Sequence, residues 1–222
     1  MKAVLQFLRQ LEHNNDRTWF KAHDEAYQKA KASMLGLTEQ LLEKSIVIAP
    51  ELDGLKAKDC LFRIFRDVRF SHNKAPYKTN MGAYFAKGGK KSVYAGYYIH
   101  IQPSASFIAG GLWMPEATEL HLVRQQIYFQ PDEFKRIVLN KNFKTVFPTI
   151  EGERLKNMPK GFESGHPAEE WLKLKSFIVS QSFSDVQVSH SDFLNEAMQA
   201  IQLMRPWVNF LNQAIDMQES AQ

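Results

Sequence analysis

The sequence predicts an α+β fold, an antiparallel β-meander flanked by N-terminal and C-terminal helices. Three observations carry that expectation. Apolar residues recur at helical spacing up to residue 45. Between residues 81 and 113 the pattern changes to short strand-like runs separated by turn signals, and from residue 191 helical spacing returns. Helices, then strands, then helices again is the order of an α+β chain, and the connections between the strands are too short for parallel crossovers.

The elements follow in order. Val4, Phe7, Leu8 and Leu11 mark a short first helix. Asn14, Asn15 and Asp16 end it and cap the next, expected over residues 16–45. There Phe20, His23, Tyr27, Ala30, Met34, Leu37 and Leu41 step by three and four, which makes one buried stripe. Residues 61–66 are compatible with a strand, and 71–80 form a loop. Strands over 81–86 and 92–101 are joined by the turn Lys87-Gly88-Gly89-Lys90, and a third runs over 107–113. Pro115 opens a helix to about 128, and Pro131 restarts one to about 139. Residues 140–165 read as irregular, 167–172 as a short helix and 176–183 as a further strand. The last helix, 191–217, is expected to kink or break at Arg205-Pro206. Trp19, Trp113, Trp171 and Trp207 read as packing residues.

At 222 residues, with 44% hydrophobic and 12% aromatic content, the chain reads as a single α+β domain over 1–222 with a substantial core. No apolar run has the length of a membrane span. The N-terminus reads as an amphipathic helix rather than a signal peptide, and the one cysteine, Cys60, fits a reducing cytoplasm. The formal net charge is +4, and its distribution is uneven. Residues 60–91 hold eight Lys or Arg against one Asp, so that window carries +7 and the remainder of the chain is acidic.

The densest part is RIFRDVRFSHNKAPYKTNMGAYF, residues 63–85. On a strand Arg63, Phe65, Asp67 and Arg69 would share one face, and Phe62, Ile64, Arg66 and Val68 the other. Both faces are mixed, and guanidinium groups are costly to bury without partners. Asp67 can orient one of them. The rest require solvent, distant carboxylates or a bound anion, and the Arg fork suits phosphate or carboxylate. Lys74 and Lys78 flank Pro76-Tyr77 and would close over such an anion, with Tyr77 stacking or hydrogen-bonding. The plainer reading is a solvated basic edge that discourages strand pairing.

This string, with Trp19-Phe20 after the Asn pair, resembles the family catalogued as domain of unknown function 2461. MPKGFESGHPAEEWLKLKSF, residues 158–177, is similar to a second motif of that family. The resemblance implies a compact α+β domain and carries no established activity. It places the characteristic residues on Arg63, Arg66, Asp67, Arg69, Phe70, Ser71, Lys74, Pro76, Tyr77 and Lys78, then on Pro159, Gly161, His166, Pro167 and Lys175. Lys175 thereby joins the ligand-binding set.

His166 precedes Pro167, Glu169 and Glu170, a combination that suits the start of a helix. It would be the titrating group of any chemistry, with Asp67 beside it as a catalytic candidate; the alternative is a capping histidine. In SVYAGYYIHI, residues 92–101, Tyr94, Gly96, Tyr98 and His100 form a semi-polar face that can floor a pocket, or an ordinary solvent face. The histidines show no metal-binding spacing, so no metal site is expected, and no residue pattern names a cofactor. GGKKS at 88–92 lacks the earlier glycine of a phosphate-binding loop, and there is no nucleophile elbow.

Three functions remain open on the sequence. The first is a basic pocket for a small anionic ligand, phosphorylated or carboxylated, in an enzyme or a sensor, using Arg63, Arg66, Arg69, Lys74, Tyr77, Lys78, His100 and Lys175. The second is binding of single-stranded nucleic acid along the basic and aromatic segment. The third is an internal network pairing the arginines with Asp59, Asp67 and helix carboxylates, with function on a surface for a protein partner. A membrane is not an expected partner, and the sequence does not fix the oligomeric state.

Overall fold

The computed structural model of the chain describes residues 1–219. The element order is α1 (Lys2–His13), α2 (Arg17–Ala22), α3 (Asp24–Ile48), a 3-10 turn (Pro50–Leu52), α4 (Ala57–Cys60), β1 (Met81–Ala86), β2 (Gly96–Ile101) and β3 (Ser106–Leu112). Then come α5 (Ala117–Phe129), α6 (Pro131–Val138), α7 (Lys141–Val146), α8 (Glu169–Leu172), β4 (Phe177–Phe183), α9 (Asp185–Ser189) and α10 (Phe193–Glu219). The strands form one antiparallel meander in the order β1-β2-β3-β4, with helices at both ends of the chain, so the fold is α+β. No helix among the described residues is long and apolar enough to cross a membrane.

The chain divides into two compact units. The first comprises Met1–Phe85, Tyr98–Ile108 and Ser182–Gln199. Its helical core sets Val4, Leu5, Phe7, Leu8 and Leu11 of α1 against the buried stripe of α3, which includes Ala30, Met34, Leu37 and Leu41. Each large apolar side chain so buried contributes roughly 1.5–3 kcal/mol. Phe7 lies centrally, its ring 6.0 Å from Phe20 and 5.7 Å from Tyr27. Asp16 caps α2 by accepting from the backbone N–H groups of Thr18 and Trp19. The single helix expected over 16–45 is interrupted at His23, which ends α2 and begins α3. Its ring Nδ1 bonds Trp19 O at 2.8 Å and stacks on the Trp19 indole at 4.0 Å, so local side-chain contacts displace the regular helical turn. Cys60, at the end of α4, is buried.

The second unit comprises Ala86–Tyr97, Ala109–Gln181 and Ala200–Gln222. Its centre is aromatic. Phe134 of α6 lies 5.1 Å from Trp171, 5.8 Å from Trp207 and 5.5 Å from Phe210. Trp207 is fully buried, and its indole N–H donates to Gly110 O at 3.2 Å. Gly111 has φ +131°, and a Cβ there would stand 1.9 Å from Phe177 O, so only glycine lets these backbones meet. Trp113, expected to pack, is instead 66% exposed at the end of β3, beyond the last buried strand residue Leu112.

Three expectations are corrected in this unit. The strand expected from 92 begins at Gly96, because Asn212 of α10 occupies the backbone of Ala95 on both sides. Asn212 Oδ1 accepts from Ala95 N at 2.8 Å and its Nδ2 donates to Ala95 O at 3.1 Å, which takes the groups a strand neighbour would use. Residues 140–165 contain α7, nucleated where Asn140 accepts from the N–H groups of Asn142 and Phe143. Of the kink or break expected at Arg205-Pro206, the break is excluded, since α10 stays helical through it. Pro206 supplies no N–H, so the Gln202 carbonyl loses its intrahelical donor while burial of Met204, Trp207 and Val208 on either side holds the helix.

Candidate functional site

The basic segment lies in the first unit and folds as an irregular hairpin rather than a strand. Its two arms pair at isolated bridges, Leu61 with Ala83 and Phe65 with Tyr77. Arg66 N donates to Pro76 O and Lys78 N to Ile64 O, at 2.9 and 2.8 Å. In place of the strand expected over 61–66, only Leu61 and Phe65 make bridges, and the Arg66 side chain turns across the loop mouth. Arg66 Nη1 donates to Ala75 O at 3.3 Å and Nη2 reaches Ser71 Oγ at 3.4 Å.

The hairpin is fixed from below by Tyr77 and Asn15. The buried Tyr77 ring stacks on Phe20 at 3.9 Å and 10°, so it is engaged with the core rather than open to a ligand. The Asn15 amide donates to Tyr77 O at 3.0 Å and accepts from Tyr77 N at 3.1 Å, replacing a strand neighbour. Asn15 therefore has a specific role: it clamps the basic segment beside the start of α2.

The cations divide by partner. Arg69 is bidentate on Asp67, Nε to Oδ1 at 3.0 Å and Nη2 to Oδ2 at 2.6 Å. Those bonds hold the exposed Asp67 carboxyl below its usual range, so it is ionised at neutral pH and orients Arg69. Lys74 Nζ donates to Val68 O at 3.1 Å across the loop. Lys78 Nζ stands 5.6 Å over the Phe62 ring. Among the described residues Arg63, Arg66, Lys74 and Asp59 make no ion pair, so the expected network of arginines and carboxylates reduces to Arg69 with Asp67. Phe62, Phe65 and Phe70 are 42%, 50% and 94% exposed along the same segment.

Phe62 connects the hairpin to the sheet. Its ring meets Tyr98 edge-on at 5.9 Å. Tyr98 Oη lies 2.9 Å from His100 Nδ1, and His100 Nε2 lies 2.9 Å from Gln102 Oε1. The imidazole stacks on Phe107 at 4.6 Å. Gly82 makes room, since a Cβ there would lie 2.6 Å from Tyr98 Oη. Burial lowers the His100 pKa, against a smaller rise from the Gln102 bond. Burial also pushes Tyr98 up to about 12 and raises Tyr84. The face is thus semi-polar, neutral and floored by aromatic rings. Tyr98 and His100 were legible as one face by alternation; Gln102, two residues on, obeys the same alternation and completes the chain.

His166 and Lys175 belong to the second unit. His166 stacks on Tyr128 at 4.3 Å, and its Nδ1 accepts from Ala168 N at 3.1 Å, which is capping geometry. Lys175 Nζ pairs with Glu153 at 2.9 Å. The same unit holds a polar cluster absent from the sequence reading. Lys87 Nζ reaches Asp216 Oδ1 at 2.5 Å and Tyr94 Oη at 3.0 Å, and Tyr94 Oη donates to the same Asp216 oxygen at 2.8 Å. No group of three or more His, Cys, Asp or Glu side chains arranged to hold a metal ion occurs among the described residues.

No curated protein and no solved structure matches the chain. A family model does match, over residues 3–210, which takes in both the basic hairpin and the His166 segment. The chain therefore belongs to the family described as "Conserved hypothetical protein (DUF2461)".

Proposed function

We propose that the first unit binds a small anionic ligand, phosphorylated or carboxylated, over the basic hairpin. The observation that carries this is the state of Arg63, Arg66 and Lys74, which make no ion pair among the described residues although the hairpin is fixed by Asn15 and Tyr77. Preorganised cations lose little entropy when an anion arrives. Lys78 over Phe62 extends the positive surface toward the semi-polar face of Tyr98 and His100. Asp67 acts by orienting Arg69, and the reading is one of binding.

The test is a thermal-shift screen of phosphorylated metabolites, carboxylates and short oligonucleotides at low and moderate salt. A ligand that binds only the folded chain raises the melting temperature by mass action. A saturable shift from a small anion, reduced at least tenfold in affinity by Arg63→Ala with Lys74→Ala, is expected. An unchanged affinity in that variant would sink the proposal.

The exposed Phe62, Phe65 and Phe70 favour a second reading, single-stranded nucleic acid, because bases stack on rings set between cations. Its signature is oligonucleotide binding that falls steeply with salt. Binding indifferent to salt would exclude it.

A further inference from the structure

The segment at 158–177 is left without a role by the basic hairpin, and one residue packed beside it is anomalous. Arg124 on α5 is 8% exposed. Its Nη2 donates to Leu174 O at 2.8 Å, while its Nε meets no acceptor among the described residues. It makes no ion pair among them. Glu119, on the same helix, does not serve: five residues away, it leaves the helix about 140° around the axis, and its own Oε2 is buried without a partner. A guanidinium stays charged at neutral pH even where burial lowers its basicity, as it does here. A charge withdrawn from water with one neutral hydrogen bond is strongly unfavourable, and such groups mark places where an ion or ligand belongs.

Aromatic rings gather along the same stretch of α5. His121 and Tyr128 lie three residues before and four after Arg124, on the same face of α5. The Phe162 ring touches both, at 5.6 Å from His121 and 5.5 Å from Tyr128, so it spans the turns between which Arg124 leaves the helix. His166 covers the other end by stacking on Tyr128. Its Nδ1 accepts from Ala168 N, so the neutral ring carries its proton on Nε2 as a further donor. The backbone between these rings is tied lightly. Phe162 N bonds Pro159 O at 3.3 Å and Gly165 N bonds the Glu169 carboxylate at 2.7 Å, with Gly161 and Gly165 at φ +88° and +81°.

We propose that Arg124 is the anchor of an oxyanion site in the second unit, taking a carboxylate or phosphate group, and that the segment bearing Phe162 and His166 is its cover. The ligand is a small anion, because a single guanidinium is the charge the proposal gives it to meet. The site is independent of the basic hairpin, and each stands or falls without the other.

The experiment titrates inorganic phosphate and, separately, acetate into the full chain and into Arg124→Met. Met preserves much of the side-chain volume and removes the charge. The wild type is expected to show a saturable rise in melting temperature with at least one of the two anions. Arg124→Met is expected to melt no lower than wild type in anion-free buffer, since replacing an unpaired buried charge by an apolar chain is often stabilising. Arg63→Ala with Lys74→Ala, which removes the hairpin's share, is expected to keep an anion response, and adding Arg124→Met to that variant is expected to abolish it. A response retained in the triple variant, or absent from Arg63→Ala with Lys74→Ala, overturns the proposal. Should Arg124→Met not fold, hydrogen exchange on the wild type decides: phosphate or acetate is expected to slow exchange of amides 158–168 at least threefold, and unchanged exchange there overturns the proposal. Phosphate serves for phosphate-bearing ligands and acetate for carboxylates, so the stronger responder identifies the ligand class.

Discussion

The Tyr98 hydroxyl donates to His100 Nδ1. The direction follows from Gln102, whose Oε1 can only accept and so places the imidazole proton on Nε2. Protonating His100 would put the ring's second hydrogen on Nδ1 and turn Tyr98 Oη from donor to acceptor in that bond. Burial already lowers its folded pKa below the ordinary 6.5. The unfolded chain therefore binds the proton more readily, and stability falls as pH drops from 6.5 through the folded value. Urea unfolding between pH 7.5 and 5 is expected to show that loss in the wild type and a flatter profile in His100→Gln. Equal slopes would show that His100 does not govern this window.

Gly82→Ala is expected to cost about 1–3 kcal/mol by overpacking. Its Cβ would stand 2.6 Å from Tyr98 Oη and 2.8 Å from Cε2, both near the Phe62 and His100 contacts. Paired with Tyr98→Leu, which vacates the ring's far end, the two substitutions are expected to cost less than their sum. Strict additivity in a denaturation double-mutant cycle would contradict this packing.

Asn15→Ala removes both side-chain bonds to the backbone of Tyr77 and leaves buried groups unsatisfied. A loss of about 1–3 kcal/mol is expected. Because the clamp fixes the cations, the same variant is expected to weaken anion binding without touching a charge. An unaltered dissociation constant with reduced stability would separate the clamp from the binding surface.

The Lys87, Tyr94 and Asp216 cluster has a different pH signature. Burial raises the Asp216 pKa, but the hydrogen bonds from Lys87 and Tyr94 outweigh it and the net shift is downward from 3.8. Its contribution is present above pH 3.8 and lost as pH falls through the folded value. Both charges are partly exposed, so Asp216→Asn is expected to cost about 1 kcal/mol or less at pH 7, with the difference from wild type shrinking as pH falls below 3.8. A difference that persists in acid would point to packing rather than charge.

Much of the fold is legible from local pattern. The stripe through Ala30, Met34, Leu37 and Leu41 is the buried face of α3, and the turn at Gly88-Gly89 separates β1 from β2. The departures come from side chains that act on distant backbone. Asn212 shortens β2 from 117 residues away, and Asn15 pairs with Tyr77 from 62. Neither sequence separation leaves a local signal. The start of α7 was readable, since Asn140 is a favourable cap. The basic segment declared itself by charge density, but that Arg63, Arg66 and Lys74 make no ion pair among the described residues is a property of the folded chain. Arg124 left no trace at all, because one arginine on a helix is unremarkable until its burial is seen.

Cys60 is the sole thiol, lies in the first unit and is 2% exposed, whereas Trp171 and Trp207 lie in the second. The chain thus carries two internal clocks. Alkylation of Cys60 times the opening of the first unit, and in a Trp19→Phe variant, which removes the first unit's indole, emission follows the loss of packing around Trp207 in the second. We propose that all 222 residues open as one cooperative body, in which case labelling and emission return the same free energy across a denaturant series. Thiol labelling that runs ahead of the emission change would instead assign the two units separate stabilities, with the basic hairpin on the one that opens first.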